Sequence, residues 1–265
     1  MRKLFKIIVM SALLSSVVSC NCINKLNEST VIEGTQVIAH RGYWDCKGSA
    51  QNSIYALKRA QEISAYGSEF DVNMTKDGIL IINHDRTFKG LVIENTKYNI
   101  LKDSTLKNRE KIPTLKQYLK QGKKSQKTKM IFELKAHSTP EIEKKAVEES
   151  VRMVKKYNLE KKTEFISFSM YICKEFARLM PNNEIAYLGG KIAPADLKKM
   201  GINAIDYHYS NFQLHPEWVK QAHDLGMKVN VWTVDNPEQI KEMINLGVDY
   251  ITTNKPELVH SLIKH

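Results

Sequence analysis

The sequence predicts a (β/α)8 (TIM) barrel, and three observations predict it. Eight short runs rich in Val, Ile, Phe and Tyr recur along the chain, and eight segments with helical spacing alternate with them. The 246 residues that follow residue 19 match the length of one such barrel. A doubly wound open sheet would place a GxGxxG turn after the first strand, and none is present there.

The elements follow in order. QVIAH (36–40) is the first strand and NSIYALKRAQEIS (52–64) the first helix. SEFDVNM (68–74) is the second strand, and after a Lys76-Asp77-Gly78 turn ILIINHD (79–85) reads as an additional strand. Residues 86–112 have weak periodicity and read as a long loop between barrel units, which a barrel places on its active-site side. The alternation then resumes: helix PTLKQYLKQG (113–122), strand KMIFELK (129–135), helix PEIEKKAVEESVRMVKKY (140–157), strand TEFISF (163–168), helix YICKEFARLM (171–180). Strands EIAYL (184–188), NAIDY (203–207), KVNVWT (228–233) and DYIT (249–252) complete the set. The helices between and after them are 193–200, 215–226, 236–247 and 256–265. Pro140, Pro194, Pro216, Pro237 and Pro256 sit at or near helix starts, where a missing N–H costs nothing, and Gly226 and Gly247 follow helix ends.

The chain carries 40 Lys+Arg against 29 Asp+Glu, a formal net charge of +11. The lysines are spread along helices rather than gathered on one motif, and neither zinc-finger spacing nor an RNA-binding aromatic motif accompanies them. They read as solvated helix faces with a positive bias, not as a nucleic-acid groove. Composition is that of a folded globular chain.

Arg2, Lys3 and Lys6 precede the apolar run IIVMSALLSSVV, the layout of a secretory signal and too short for a comfortable membrane span. Ser19 before Cys20 resembles a bacterial lipoprotein cleavage site. The expected division is a lipoprotein-type signal peptide over 1–19, a tether over 20–34 beginning at a lipidated Cys20, and a barrel over 35–265, exported and held at a membrane. Cys22 competes as the modified residue, but Asn21 before it suits cleavage poorly. Cleavage leaves a mature charge of +8. Cys46 and Cys173 lack CxxC spacing and read as free thiols.

In a barrel the reacting groups project from the C-terminal ends of the strands. His40 and Arg41 end the first predicted strand, Glu69 and Asp71 lie two apart on the second, and Glu133 and Lys135 lie two apart on the third barrel strand. Residues two apart on a strand share a face, so three carboxylates and a lysine converge on the interior. A hard divalent cation, Ca2+ or Mg2+, would compensate such a cluster, and all-oxygen donors favour these over zinc. His40 and His84 stand where apolar strands give way to polar residues, which suits a general acid and base near neutral pH. His208 and His137 also follow strands and compete for a site role. His215, His223, His260 and His265 read as surface residues.

One ordered set of motifs runs over nearly the whole region from 36 to 260: HRG (40–42), Asn52, EFDVNMTKDG (69–78), HD (84–85), PTL (113–115), FELK (132–135), and WTVDNP followed by GVDYITTNKP. In these the chain resembles the glycerophosphodiester phosphodiesterases. The resemblance implies a barrel that uses a divalent cation to hydrolyse glycerophosphodiesters to sn-glycerol 3-phosphate and an alcohol. It further implies His40 and His84 as the acid-base pair, Glu69, Asp71 and Glu133 as metal ligands, Arg41 and Lys135 on the phosphate, and Phe168 and Trp232 along the substrate pocket. Two positions depart from the family pattern. Gln51 stands where a glutamate is usual, which questions a part for it in orienting or charging the site. Asn254 stands where aspartate is commoner, with a structural consequence expected rather than a catalytic one.

Two other readings are open at this stage: a related barrel phospholipase (phosphatidylinositol phospholipase C or sphingomyelinase D type) on intact lipid, and a non-catalytic binding barrel. Head-group choice would fall to the loops 86–112 and 208–215.

Overall fold

The computed structural model describes residues 34–263. In chain order the elements are β1 (Gln36–Ala39), α1 (Ile54–Glu62), β2 (Gly67–Met74), β3 (Leu80–Ile82), β4 (Thr87–Phe88), β5 (Leu91–Val92) and α2 (Tyr98–Leu101). These are followed by α3 (Leu115–Gly122), β6 (Lys129–Leu134), α4 (Pro140–Lys156), β7 (Thr163–Ser167), α5 (Met170–Leu179), β8 (Ile185–Tyr187) and α6 (Pro194–Lys199). The remainder is β9 (Ala204–His208), α7 (Tyr209–Leu214), α8 (Glu217–Asp224), β10 (Lys228–Trp232), α9 (Pro237–Leu246), β11 (Tyr250–Thr253) and α10 (Pro256–Ile263).

Eight parallel strands close on themselves in the order β1-β11-β10-β9-β8-β7-β6-β2, with β1 pairing back to β2. This is the predicted (β/α)8 barrel, with β3 added antiparallel on the end of β2. Side chains on each strand alternate between two apolar layers. Ile38, Ile131, Ile166, Ala186 and Ala204 fill the barrel interior. The other parity packs under the helices, where Phe70, Phe132, Phe165 and Phe176 form a continuous run of ring contacts with centroids 4.2–5.6 Å apart. Burying each such ring contributes about 1.5–3 kcal/mol.

The helices start where their capping residues are. The Ser53, Thr114, Thr139, Ser169 and Asn236 side chains accept from the first-turn amides of α1, α3, α4, α5 and α9. Gly247 closes α9 at φ +82°, the left-handed conformation its lack of Cβ permits.

Two segments differ from the sequence reading. Residues 86–112 are not a bare loop: β4 and β5 form a small hairpin, and Ile93, Leu101 and Ile112 close a small apolar cluster with Ile81. Four apolar residues scattered over the segment bury together without a regular period, so no periodicity announces them. Residues 208–215 hold α7, a helix too short for a periodic signature, ending β9 one residue later than expected. Cys46 and Cys173 are free thiols, and burial pushes the Cys173 thiol up to about 12. No helix among the described residues is long and apolar enough to cross a membrane. The expected signal, Cys20 and most of the 20–34 tether lie outside the described residues, as does His265.

Candidate active site

The C-terminal end of the barrel is built from a turn that the chain enters only at a conformational cost. After β1, Arg41 (φ +55°) and Gly42 (φ +75°) are both left-handed, and a Cβ on Gly42 would lie 2.7 Å from Ala56. Only glycine fits there. For Arg41 the left-handed backbone costs roughly 1–2 kcal/mol. The turn aims Arg41 into the mouth, and its backbone N–H donates to Glu69 Oε2 at 2.7 Å. Asn52 is left-handed too (φ +61°) and binds Asp71 twice: its Nδ2 donates to Asp71 Oδ2 at 2.7 Å, and its Oδ1 accepts from the Asp71 N–H at 3.1 Å. Strain at two non-glycine residues is held in place by contacts to the acidic cluster.

The β2–β6 register sets Asp71 beside Glu133, with Glu69 one inward step before. One oxygen from each lies within 4.8 Å of the other two, and the three residues are 3%, 1% and 7% exposed. Lys135 Nζ reaches Asp71 Oδ1 at 2.6 Å and Glu133 Oε1 at 2.5 Å. Burial and the neighbouring Asp71 and Glu133 push Glu69 well above the usual carboxylate range. Burial also lifts Glu133, against Lys135, up to about 7. Asp71 goes the other way: burial opposes its charge, but Lys135, His84 and Arg41 outweigh it and hold it down to about 2. Burial works against the Lys135 ammonium, and Glu133 with Asp71 overcomes it and raises its pKa.

Three buried carboxylates against two cationic side chains leave the cluster one positive charge short. Glu69 Oε1 is buried with no hydrogen-bond partner among the described residues. An orphaned carboxylate oxygen amid all-oxygen donors fits a hard divalent cation.

His40 is half-buried in the pocket wall. Its Nδ1 lies 2.9 Å from Asn254 Oδ1, an acceptor, so Nδ1 carries the hydrogen and Nε2 is left with a free lone pair. Burial, reinforced by the Arg41 charge, lowers His40 to about 4, so it is neutral near pH 7. Asn254 is fixed in turn: it donates from Nδ2 and from its backbone N–H to Asp235, and its Oδ1 also accepts from Trp44 Nε1 at 2.9 Å. The consequence of Asn254 is therefore not structural only, as the sequence reading had it, because it orients His40. Its signal was the position itself, just past the last barrel strand. His84 is 41% exposed at the side chain, and its Nδ1 lies 2.8 Å from Asp85 Oδ1.

These groups line one pocket of about 190 Å3: His40, Arg41, Glu69, His84, Glu133 and Lys135 on one side, Ile166, Phe168, Leu188, Asp206 and Trp232 on the other. Phe168 and Trp232 meet edge to face, with centroids 5.7 Å apart. The structure thus brings together every predicted site residue, Asp71 joining through its ion pair with Lys135. The two competing histidines stay outside. His208 binds Ser210, and His137 Nε2 accepts the Met74 N–H, tying the end of β2. His223 lies at the surface, paired with Asp249. Sequence reasoning missed Asp206, whose buried carboxyl faces the pocket and is pushed up to about 8 by burial and by Glu133. The signal was there: a lone charge within an apolar strand. It also underrated Gln51, whose Oε1 accepts from Arg41 Nη1 at 2.8 Å and so orients the guanidinium.

Residues 40–258 match the model of the glycerophosphoryl diester phosphodiesterase family. A crystal structure of a glycerophosphodiester phosphodiesterase from Parabacteroides distasonis superposes with a TM-score of 0.86 at 53% identity, covering 86% of this chain and 96% of that one. A glycerophosphodiester phosphodiesterase of Caldanaerobacter subterraneus subsp. tengcongensis is 34% identical over 245 residues, 87% of this chain and 98% of the relative. One of Bacillus altitudinis is 31% identical over 242 residues, 84% of this chain and 96% of its own. With the buried acidic triad, the paired histidines and matches that span both partners almost entirely, the chain belongs to the glycerophosphoryl diester phosphodiesterase family.

Proposed function

We propose that this chain hydrolyses glycerophosphodiesters to sn-glycerol 3-phosphate and an alcohol, with His40 as general base and His84 as general acid. The observation that carries the assignment is the contrast between the two imidazoles. His40 is half-buried and neutral with its Nδ1 hydrogen committed to an amide oxygen, which leaves Nε2 to take a proton. His84 stands at the open side of the pocket with the Asp85 carboxylate on its Nδ1, a contact that orients the ring toward the departing oxygen.

Glu69, Asp71 and Glu133 would hold one divalent cation, Ca2+ or Mg2+, which when bound supplies positive charge to the phosphoryl oxygens as attack concentrates negative charge there. Arg41 and Lys135 add fixed cationic donors at the same oxygens, and fixed donors stabilise the transition state more than the singly charged ground state. His40 Nε2 removes the hydroxyl proton of the attacking nucleophile. As the bond from phosphorus to the departing oxygen breaks, His84 gives its proton to that oxygen. Phe168 and Trp232 wall the glycerol arm and limit water around the phosphate.

A coupled assay for glycerol 3-phosphate tests this, over a panel of glycerophosphodiesters, with chelator and with each cation restored. Release that chelator abolishes and Ca2+ or Mg2+ restores is the expected result. Turnover of intact phospholipid alone would instead establish the related-phospholipase reading.

The proposal extends to location: residues 1–19 act as an export signal and Cys20 carries the lipid, so the enzyme works beyond the cytoplasmic membrane. The basic start, the apolar run and Ser19-Cys20 support this. Metabolic labelling with a radioactive fatty acid is expected to mark the wild type and not Cys20→Ser, which should leave the membrane fraction.

A further inference from the structure

A second concavity, about 280 Å3, is lined by residues that bond or adjoin those of the catalytic pocket. Trp44, Gln51, Asn83, Phe88, Lys89 and Lys107 line it, and no carboxylate does. It shares partners with the catalytic pocket. Gln51 Oε1 accepts from Arg41, Trp44 donates to the amide oxygen that fixes His40, and Asn83 directly precedes His84. The phosphate-contacting and acid-base side chains therefore stand between two hollows. One is walled by Phe168, just after β7, and Trp232 at the end of β10; the other is built by the turn after β1 and by the segment inserted after β2. A phosphodiester has two arms and needs two such places.

We propose that this second concavity is the subsite for the departing alcohol, and that it selects hydroxylated head groups, uncharged or anionic, over quaternary ammonium ones. The inference rests on the function proposed above. Its walls are fixed rather than loose. Glu110 accepts from the Ile54 and Tyr55 N–H groups at the start of α1, and Asn108 donates to both Glu110 and the Gly48 carbonyl, which ties residues 105–110 to the turn after β1. Lys89 and Gly90 (φ +51° and +79°) form the two-residue turn between β4 and β5, which sets Lys89 at the rim. No ion pair engages Lys89 or Lys107 among the described residues, so both ammonium groups are available to a ligand.

Of the polar lining, Gln51, Lys89 and Lys107 present donors, Thr105 a hydroxyl, and Asn83 an acceptor because its Nδ2 donates to the Asp85 and Thr87 carbonyls. With its Oε1 committed to Arg41, Gln51 offers Nε2, and the two lysines offer only N–H. Donors suit hydroxyl and anionic oxygens. The Trp44 and Phe88 rings would attract a trimethylammonium group on their own, but two unneutralised ammonium charges beside them repel it.

The test uses the full chain with its cation and compares kcat/KM for glycerophosphoinositol, glycerophosphocholine and the methyl ester of glycerol 3-phosphate, which has no head group to bind. The wild type is expected to favour the inositol diester over the choline diester by about tenfold. Lys89→Glu with Lys107→Glu is expected to abolish or reverse that preference, leaving the methyl ester within about twofold. Equal rates for inositol and choline diesters in the wild type, or a double variant that scales all three substrates alike, would overturn the subsite. If the wild type releases no glycerol 3-phosphate even from the methyl ester, the proposed function itself fails and the subsite falls with it.

Discussion

The two ends of the barrel bury the same kind of group and treat it oppositely. At the end remote from the site, Glu164 takes a hydrogen bond from Tyr66 at 2.7 Å and lies 3.5 Å from Lys129, while Tyr66 and Tyr250 stack at 4.7 Å. Asp249 there accepts from Lys228, His223 and the Val229 N–H. At the site end, Glu69 Oε1 and Asp206 Oδ1 have no partner among the described residues, and the surrounding backbone holds two left-handed non-glycine residues. Satisfied charges close the barrel floor; unsatisfied ones are kept for a ligand. Burial and charge alone do not mark a functional site; among the described residues, buried carboxylate oxygens left without a partner do.

The largest expected effect comes from removing that unsatisfied charge. Glu69→Gln keeps an oxygen for the Arg41 N–H but takes a negative charge from the triad, and kcat/KM should fall by about 10^2–10^3 or more. Its effect on stability runs the other way. Folding raises the pKa of Glu69, so its contribution is favourable below the ordinary carboxylate range and is lost as pH rises above it. Thermal unfolding in chelator at pH 8 should therefore find Glu69→Gln at least as stable as the wild type. A lower Tm there would show the cluster to be structural, like the floor.

Next in size are the histidines. His40→Ala and His84→Ala should each lose roughly 10^2–10^4 in kcat with the fold intact, the range of general acid–base catalysis. Because burial lowers His40 to about 4, the acid limb of kcat/KM against pH should fall near 4 rather than at the ordinary imidazole value. A limb at 6 to 7 would transfer the base role elsewhere.

A smaller effect is expected from Asp235. It holds Asn254 through two hydrogen bonds of 2.8 and 2.6 Å, and Asn254 holds His40. Asp235→Ala should lower kcat about tenfold and leave KM nearly unchanged, since it does not line the pocket. A raised KM would place it in substrate binding instead.

The contrast between the ends also explains how much was legible beforehand. The strands were readable because parallel barrel strands are short apolar runs between polar segments, and the site was readable where a charge broke such a run, as at Glu69, Asp71 and Glu133. What sequence could not supply was partnership. Position along the strand separates Glu164, near the start of β7, from Glu133, near the end of β6, but no spacing shows that Tyr66 satisfies Glu164. Nor does spacing show Asn254 reaching back 214 residues to His40, because that contact exists only once β11 lies beside β1. The 86–112 segment escaped for a further reason: its cluster of Ile93, Leu101 and Ile112 is defined by contact with Ile81 and not by any period.

The smallest predicted effect probes the floor's one imperfect member. Glu184 receives only a long hydrogen bond, 3.4 Å from Tyr250, and burial together with Glu164 and Asp249 pushes its pKa well above the usual range. Its folded-state pKa being raised, Glu184 supports folding at acid pH and works against it as pH climbs past the ordinary carboxylate value. Glu184→Gln keeps the acceptor for Tyr250 and removes the charge. At pH 8 it should be more stable than the wild type by about 1 kcal/mol, a Tm gain of roughly 2–4 °C, narrowing to nothing near pH 4. Activity should not change, because Glu184 lies before β8, at the end of the barrel away from the pocket. A gain at every pH would mean that packing rather than charge is responsible, and a loss at pH 8 would mean that the floor depends on the Glu184 carboxylate.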